Sequence, residues 1–286
     1  MSAPVHRDPV PARLILCADD YAIAPGVSRA IRRLIEAGRL TATSCMAVSP
    51  FWPVEAQALR PLAERADIGL HLTLTNLRPL GAMPATCPEG RLPAIRDLTI
   101  AAWRRRLDLR EIAAELARQV DAFEAAFGRP PAFLDGHQHA HQLPGIRDIV
   151  IDLWQQRLAA HGAWLRVTDE PVSRVVRRGV AYGETITLSL LGRGLGRRAR
   201  ARGIPVNDGF AGVQDFSGRI PYARLFDRFL CAPRGRHLVM CHPGEADEAL
   251  RAADEVAEAR EEELRFFESD AFPQLMARHG LALGRF

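Results

Sequence analysis

The chain has 286 residues, 48% of them hydrophobic, enough for one large α/β domain with a well-buried core. Its formal net charge is +4 and its isoelectric point is near 9.1, but the basic residues are spread along the chain with few aromatics among them, so nucleic acid is not an expected partner. All 38 basic residues are arginine, which excludes Schiff-base chemistry and a P-loop lysine.

No run approaches the roughly 18 apolar residues of a membrane-spanning helix, and Met1 to Pro11 lacks the apolar core of a signal peptide. The expectation is a flexible tail over 1–11 and a single domain over 12–286, in the cytoplasm. Cys17, Cys45, Cys87, Cys231 and Cys241 are odd in number and contain no CxxC pair, which argues for free thiols rather than disulfides or a thiolate zinc site.

In chain order, Arg13 to Ala18 predicts a strand, and apolar Val27, Ala30, Ile31, Leu34 and Ile35 a helix stopped by Gly38. Leu40 to Val48 predicts a second strand, followed by a helix over Trp52 to Arg65. A third strand, Asp67 to Thr75, leads into a Pro-rich loop from Asn76 to Asp97, long enough for a lid, and then a helix from Asp108 to Phe127 closed by Gly128. Further strands are expected over Ala132 to Asp135, Ala163 to Val167, Ile204 to Asp208 and His237 to Cys241, and helices over Gly145 to Ala160, Tyr222 to Cys231 and Ala253 to Phe267. Some seven βα units without a GxGxxG turn predict a parallel, closed or slightly broken (β/α) barrel, TIM-barrel-like, rather than an open doubly wound sheet.

In such a barrel the chemistry sits at the carboxyl ends of the strands, and four ends are polar. The first carries Asp19-Asp20, neighbours whose side chains diverge, so that one can bind a metal while the other takes a proton; a plain turn or cap is the competing reading. In Gly69-Leu70-His71-Leu72-Thr73-Leu74-Thr75, alternation separates the leucines from His71, Thr73 and Thr75, which face inward. The fourth end, Asp135-Gly136-His137-Gln138-His139-Ala140-His141, is the strongest signal: three imidazoles at i, i+2 and i+4 share one side of an extended segment, and such crowding suits a cation or a catalytic task better than solvent. The last, His242-Pro243-Gly244, delivers a histidine suited to general acid or base work near pH 7. Two imidazoles and a carboxylate make an open, hydrolytic ligand set for one divalent ion, Mg²⁺ or Zn²⁺, with Mn²⁺ and Fe²⁺ not separated by spacing.

Through Ala18-Asp19-Asp20, Pro25-Gly26-Val27, Gly69-Leu70-His71, Asp135-Gly136-His137-Gln138-His139-Ala140-His141 and His242-Pro243-Gly244, the chain resembles the YdjC-like (ChbG/HpnK-type) carbohydrate deacetylase family. The resemblance implies a single-domain deformed (β/α) barrel and a metal-dependent hydrolase that removes an N-acetyl group from a sugar, chitooligosaccharide-like or lipid-linked. It assigns metal binding to Asp20, His71 and His137 and makes Asp19 the candidate base. The chain departs from the family at Tyr21-Ala22, where Phe-Gly is frequent, and at Gly136, where Ser is common. Asn207-Asp208-Gly209-Phe210 echoes a family stretch that contacts the sugar or lines the pocket, with a plain turn the competing reading.

The mechanism implied is attack by metal-activated water, with Asp19 taking a proton and His242 protonating the amine; His139 and His141 are alternative acids or substrate contacts. Arg193, Arg197, Arg198, Arg200 and Arg202, mixed with leucines, raise peripheral contact with an anionic membrane surface, against a solvated helix end, and a homodimer is left open. Competing functions are another barrel metal hydrolase, an amidohydrolase or phosphoesterase, and a catalytically silent sugar-binding protein.

Overall fold

The computed structural model describes residues 12–286, so the tail expected over 1–11 lies outside the described residues. Its strands are β1 (Ala12–Tyr21), β2 (Ala42–Cys45), β3 (Asp67–Leu72), β4 (Phe133–Gly136), β5 (Trp164–Leu165), β6 (Gly209–Ala211), β7 (His237–Cys241) and β8 (Leu281–Leu283). The helices are α1 (Pro25–Glu36), α2 (Trp52–Leu59), α3 (Ile95–Trp103), α4 (Leu109–Phe127), α5 (Ile146–Arg157), α6 (Val172–Arg178), α7 (Tyr182–Ala201), α8 (Tyr222–Phe229), α9 (Glu248–Ala253), α10 (Ala257–Glu268) and α11 (Ala271–Arg278).

The strands pair in parallel in the order β5-β4-β3-β2-β1-β7-β6, with β8 beside β1 off that path. The ends of the series meet through one parallel bridge, Leu165 to Val206, so the sheet is a deformed (β/α) barrel rather than an open layer. Among the described residues no helix is long and apolar enough to cross a membrane.

Period-two alternation gives the barrel two cores. Leu14, Leu16 and Ala18 of β1 join the large core between sheet and helices, whereas Ile15 and Cys17 join Ala42, Phe133, Trp164, Leu238 and Met240 in a smaller one. The base of that inner core is aromatic: Phe133 stacks on Trp164 at 4.1 Å between centroids and Trp164 on Phe286 at 4.9 Å. Gly69 belongs here because a Cβ would lie 2.4 Å from the Phe133 ring. Towards the carboxyl ends the same alternation turns polar, through Asp19, Ser44, His71, Asp135, Arg166 and His242, all buried or half-buried. One end of the barrel holds it together and the other holds its chemistry.

Three expectations are corrected. The strand foreseen over Ile204 to Asp208 lies at Gly209–Ala211, because across the β5–β6 seam the Asn207 carboxamide replaces a backbone ladder: it accepts from Val167 N (2.8 Å) and donates to Val167 O (2.8 Å) and Gly209 O (3.0 Å). α6 and α7 were not foreseen as full helices, since α7 carries four glycines that lower helix propensity; packing explains one of them, as a Cβ at Gly192 would lie 2.5 Å from the Asp169 amide.

The long loop after β3 is not a free lid. Buried or half-buried on one face of α4, Glu111, Glu115 and Gln119 recur at i, i+4 and i+8 and accept from Ala85 and Thr86, from Leu80 and Gly81, and from Thr73 respectively. The segment also contains α3, and Thr73 and Thr75 lie beyond the end of the strand. Glu115→Ala strands two backbone donors at once and is expected to lower unfolding free energy by about 2–4 kcal/mol in urea titration and to open residues 76–94 to protease; an unchanged midpoint would mean that other contacts hold the loop.

Candidate metal centre and active-site cleft

At the mouth of β1 the ladder to β2 slips: Ala18 pairs with Thr43 but Tyr21 with Cys45, so one extra residue is accommodated. Asp20 absorbs it at φ 64°, in the left-handed region that aspartate tolerates better than most residues. Rather than diverging as on a flat strand, Asp19 and Asp20 therefore both line the same cleft. Ala22 follows at φ 74°, a conformation that the frequent family glycine takes without strain.

His71 leans on Asp135, whose Oδ1 lies 2.7 Å from Nδ1, with the Ser44 hydroxyl 2.9 Å from the same nitrogen. This fixes the ring and turns Nε2 to Asp20 Oδ1 at 3.3 Å. His137 Nδ1 reaches the same oxygen at 3.1 Å. The three donor atoms, one carboxylate oxygen and two imidazole nitrogens, lie within 4.8 Å of one another.

Two buried arginines set the charge. Arg166, just past β5, spans both oxygens of Asp19 at 2.6 Å each, and its NH2 also lies 2.8 Å from Asp135 Oδ2 and 2.9 Å from Cys17 Sγ. The grouping of Cys17, Asp19 and Asp135 is thus already filled by a guanidinium. Arg260 on α10 donates to Asp20 Oδ2 at 2.6 Å and to Asp254. Neither arginine was singled out in the sequence; for Arg166 the signal was a charged residue at an inward position of Trp164-Leu165-Arg166-Val167.

Burial alone would protonate Asp19 and Asp20, but Arg166 on one side and Arg260 with His137 on the other hold both well below the usual carboxylate range. Burial likewise opposes charge on His71, yet Asp135, then Asp20 and Asp19, raise it to about 10. His242 goes the other way, lowered by burial and by Arg260 against Asp20 and Asp19, so it rests as neutral imidazole. Its backbone amide donates to Glu263, a carboxylate that burial pushes up to about 7, and its ring meets Phe216 edge-on at 5.5 Å.

The histidine triple is not extended. It forms a 3₁₀ turn with Gln138 and His139 at φ 50° and 58°, which sends the three rings to different places. His139 lines the cleft against Phe210, and burial lowers it well below its ordinary value. His141 turns away: its Nε2 lies 3.1 Å from the Arg166 carbonyl, and burial pulls it to about 4. A Cβ at Gly136 would come 2.8 Å from His141 Nδ1, which explains glycine there. Thus Asp19, Asp20, His71, His137, His139 and His242 share one cavity of about 250 Å³, while His141 and Asn207 do not reach it; Asn207 spends its carboxamide on the seam.

The donor set fits a divalent cation on charge as well as position. With neutral imidazoles, the four linked carboxylates of Asp19, Asp20, Asp135 and Asp254 meet two guanidinium groups among the described residues, Arg166 and Arg260, leaving two negative charges uncompensated beside the nitrogen donors.

A family model described as "YdjC-like protein" matches residues 13–278. The chain is 35% identical over 165 residues to a chitooligosaccharide deacetylase of Serratia marcescens, covering 56% of this chain and 61% of that one. It is 38% identical over 140 residues to one of Yersinia pestis (strain Pestoides F), covering 48% and 53%. The matches thus span about half to three-fifths of these relatives. A crystal structure of an Enterococcus faecalis V583 protein named for cellobiose-phosphate cleavage superposes with a TM-score of 0.74 over 96% of this chain and 97% of that one, at 19% identity, a likeness of fold.

Because His71 holds its proton up to about pH 10, a cation taking Nε2 must displace it. Calorimetry in buffers of different ionisation enthalpy is expected to show proton release, with affinity rising about tenfold per pH unit between pH 6 and 9; a pH-independent affinity would place the ion elsewhere.

Proposed function

The chain belongs to the YdjC-like family, and from that premise we propose that it is a metal-dependent N-deacetylase of an acetylated sugar. The observation that carries this reading is the convergence of Asp19, Asp20, His71, His137 and His242, from separate strand ends, on one cleft. Asp20, His71 and His137 would hold the ion. When bound, it supplies Lewis-acid polarisation of the acetyl carbonyl and of water, as Mg²⁺ or Zn²⁺ can.

The chain's own groups move the protons. Asp19, ionised and oriented by two bonds from Arg166, accepts one from the attacking water. A carboxylate so acidic is a weak base towards free water, so its strength lies in fixed placement rather than affinity for the proton. His242, neutral at rest, is charged by the proton that the attacking water releases through Asp19 and gives that proton to the sugar nitrogen as the C–N bond breaks, releasing acetate and free amine. Its lowered basicity makes its charged form a strong donor once formed. His139 lines the cleft as a substrate contact.

We favour a free oligosaccharide over a lipid-linked sugar. Of the five arginines in the basic stretch, Arg193 and Arg200 lie near Asp169 (3.5 and 3.6 Å), Arg198 near Asp148 (3.1 Å) and Arg202 near Asp152 (3.1 Å), which lowers the free positive charge for an anionic surface. The exposed apolar side chains nearby are few: Val172 and Val176 at i and i+4 on α6, Tyr182 beside Val176, and Leu190 on α7. Liposomes containing anionic lipid are expected to leave the protein in the supernatant; co-sedimentation would return the lipid-linked form to the front.

Asp19→Asn is expected to keep metal binding and cut acetate release by ~10²–10⁴-fold. It should also lower Tm, because Arg166 loses part of its charge compensation. Undiminished turnover removes Asp19 from the mechanism, and absence of acetate from any N-acetylated sugar, with metal bound to wild type, removes the deacetylase reading.

A further inference from the structure

α10 brings two side chains of opposite charge to the carboxyl end of the barrel. Arg260 and Glu263 stand at i and i+3, so they share one face of the helix, and both are almost wholly buried. Arg260 holds Asp20. Glu263 does not line the cleft, yet donors from three other parts of the chain converge on it. The His242 amide, at the exit of β7, donates to Oε2 at 2.6 Å, and the Gln214 carboxamide, past β6, donates to Oε1 at 2.6 Å. The buried Tyr222 hydroxyl of α8 faces the same carboxyl group. Removing an acceptor that serves several buried donors leaves all of them unpaired at once.

Both measured bonds bear on the His242 ring. The first holds the backbone that carries it, and Gly244 N, which donates to Arg260 O at 3.2 Å, ties the far side of Pro243 to the same helix. The second holds the segment that carries Phe216, two residues beyond Gln214, whose ring meets the His242 imidazole edge-on at 5.5 Å. Among the described residues His242 Nδ1 has no hydrogen-bond partner, so at that edge the backbone and Phe216 set the angle of the ring. One carboxyl group thus anchors both.

We infer that Glu263 is a positioning residue: from α10 it fixes the place from which His242 delivers its proton, measured against Asp20, which the same helix holds through Arg260. The inference rests on the deacetylase reading for the role of His242 as acid. An amide loses its amine only as the nitrogen is protonated, whereas an ester with a good leaving group needs no such proton. Displacing the acid therefore slows the first reaction and spares the second.

The test compares metal-supplied wild type, Glu263→Gln and Glu263→Ala on the N-acetylglucosamine dimer and on p-nitrophenyl acetate, with ¹⁵N spectra of the histidine rings alongside. The His242 signals are those missing from His242→Asn. Glu263→Gln keeps the shape of the side chain and one accepting oxygen, so it carries the test if Glu263→Ala does not fold. On the dimer, kcat is expected to fall ~10-fold in Glu263→Gln and ~10²-fold in Glu263→Ala with KM little changed, the size of effect that misplacing a catalytic group produces. On the ester, both variants are expected to stay within about threefold of wild type, and the His242 signals to shift while those of His71 and His137 hold. Ester turnover that falls in step with the amide, or an amide kcat that holds, overturns the inference, as do unmoved His242 signals in both variants. No acetate from the dimer with wild type, together with His242 signals that move in the variants, keeps the positioning and sinks the deacetylase reading.

Discussion

The arrangement depends on a line of alternating charge buried at one end of the barrel. From Asp254 it runs through Arg260, Asp20, His71, Asp135 and Arg166 to Asp19, each member within hydrogen-bond reach of the next or nearly so. Buried ions are costly singly, and breaking one pair exposes the others to the same cost. The line therefore behaves as one unit, and Asp19 and Asp20, neighbours in sequence, lie at different points along it.

That unit explains the polarity of the barrel interior. Apolar side chains fill its base around Phe133 and Trp164, where nothing competes with packing. Above them Ser44, Asp135 and Arg166 fit together through a hydrogen bond and an ion pair rather than shape. The two layers divide the labour: the first fixes the strands, and the second fixes the angles at which His71 and Asp19 meet the cleft.

Much of this was legible in the sequence, for definite reasons. Strand-end clusters at Asp19-Asp20, Gly69-Leu70-His71 and His242-Pro243-Gly244 stood out because alternation and chain order suffice to place them. Arg166 and Arg260 did not, because the cleft carboxylates they hold, Asp19 and Asp20, lie more than a hundred residues away in sequence. The three histidines do not share a face, since equal spacing means a common face only in an extended chain and two left-handed residues undo it. The glycines of α7 hid a helix, and the loop after β3 looked free because its anchors lie on α4. For Asn207, the family likeness pointed to the sugar, whereas its carboxamide is engaged with backbone.

That carboxamide gives the barrel a direction of compliance. Elsewhere around the ring, neighbouring strands share ladders of two or more residue pairs, but between β5 and β6 a single bridge and one side chain do the joining. A closed barrel resists deformation evenly; one with a stitched seam yields first at the stitch. Arg166 stands on one side of that seam and Phe210, against His139, on the other. Breathing along this line would alter the width of the cleft at His139, while β1, β2 and β3, which carry Asp20 and His71 and share ladders of three or more pairs, stay in register.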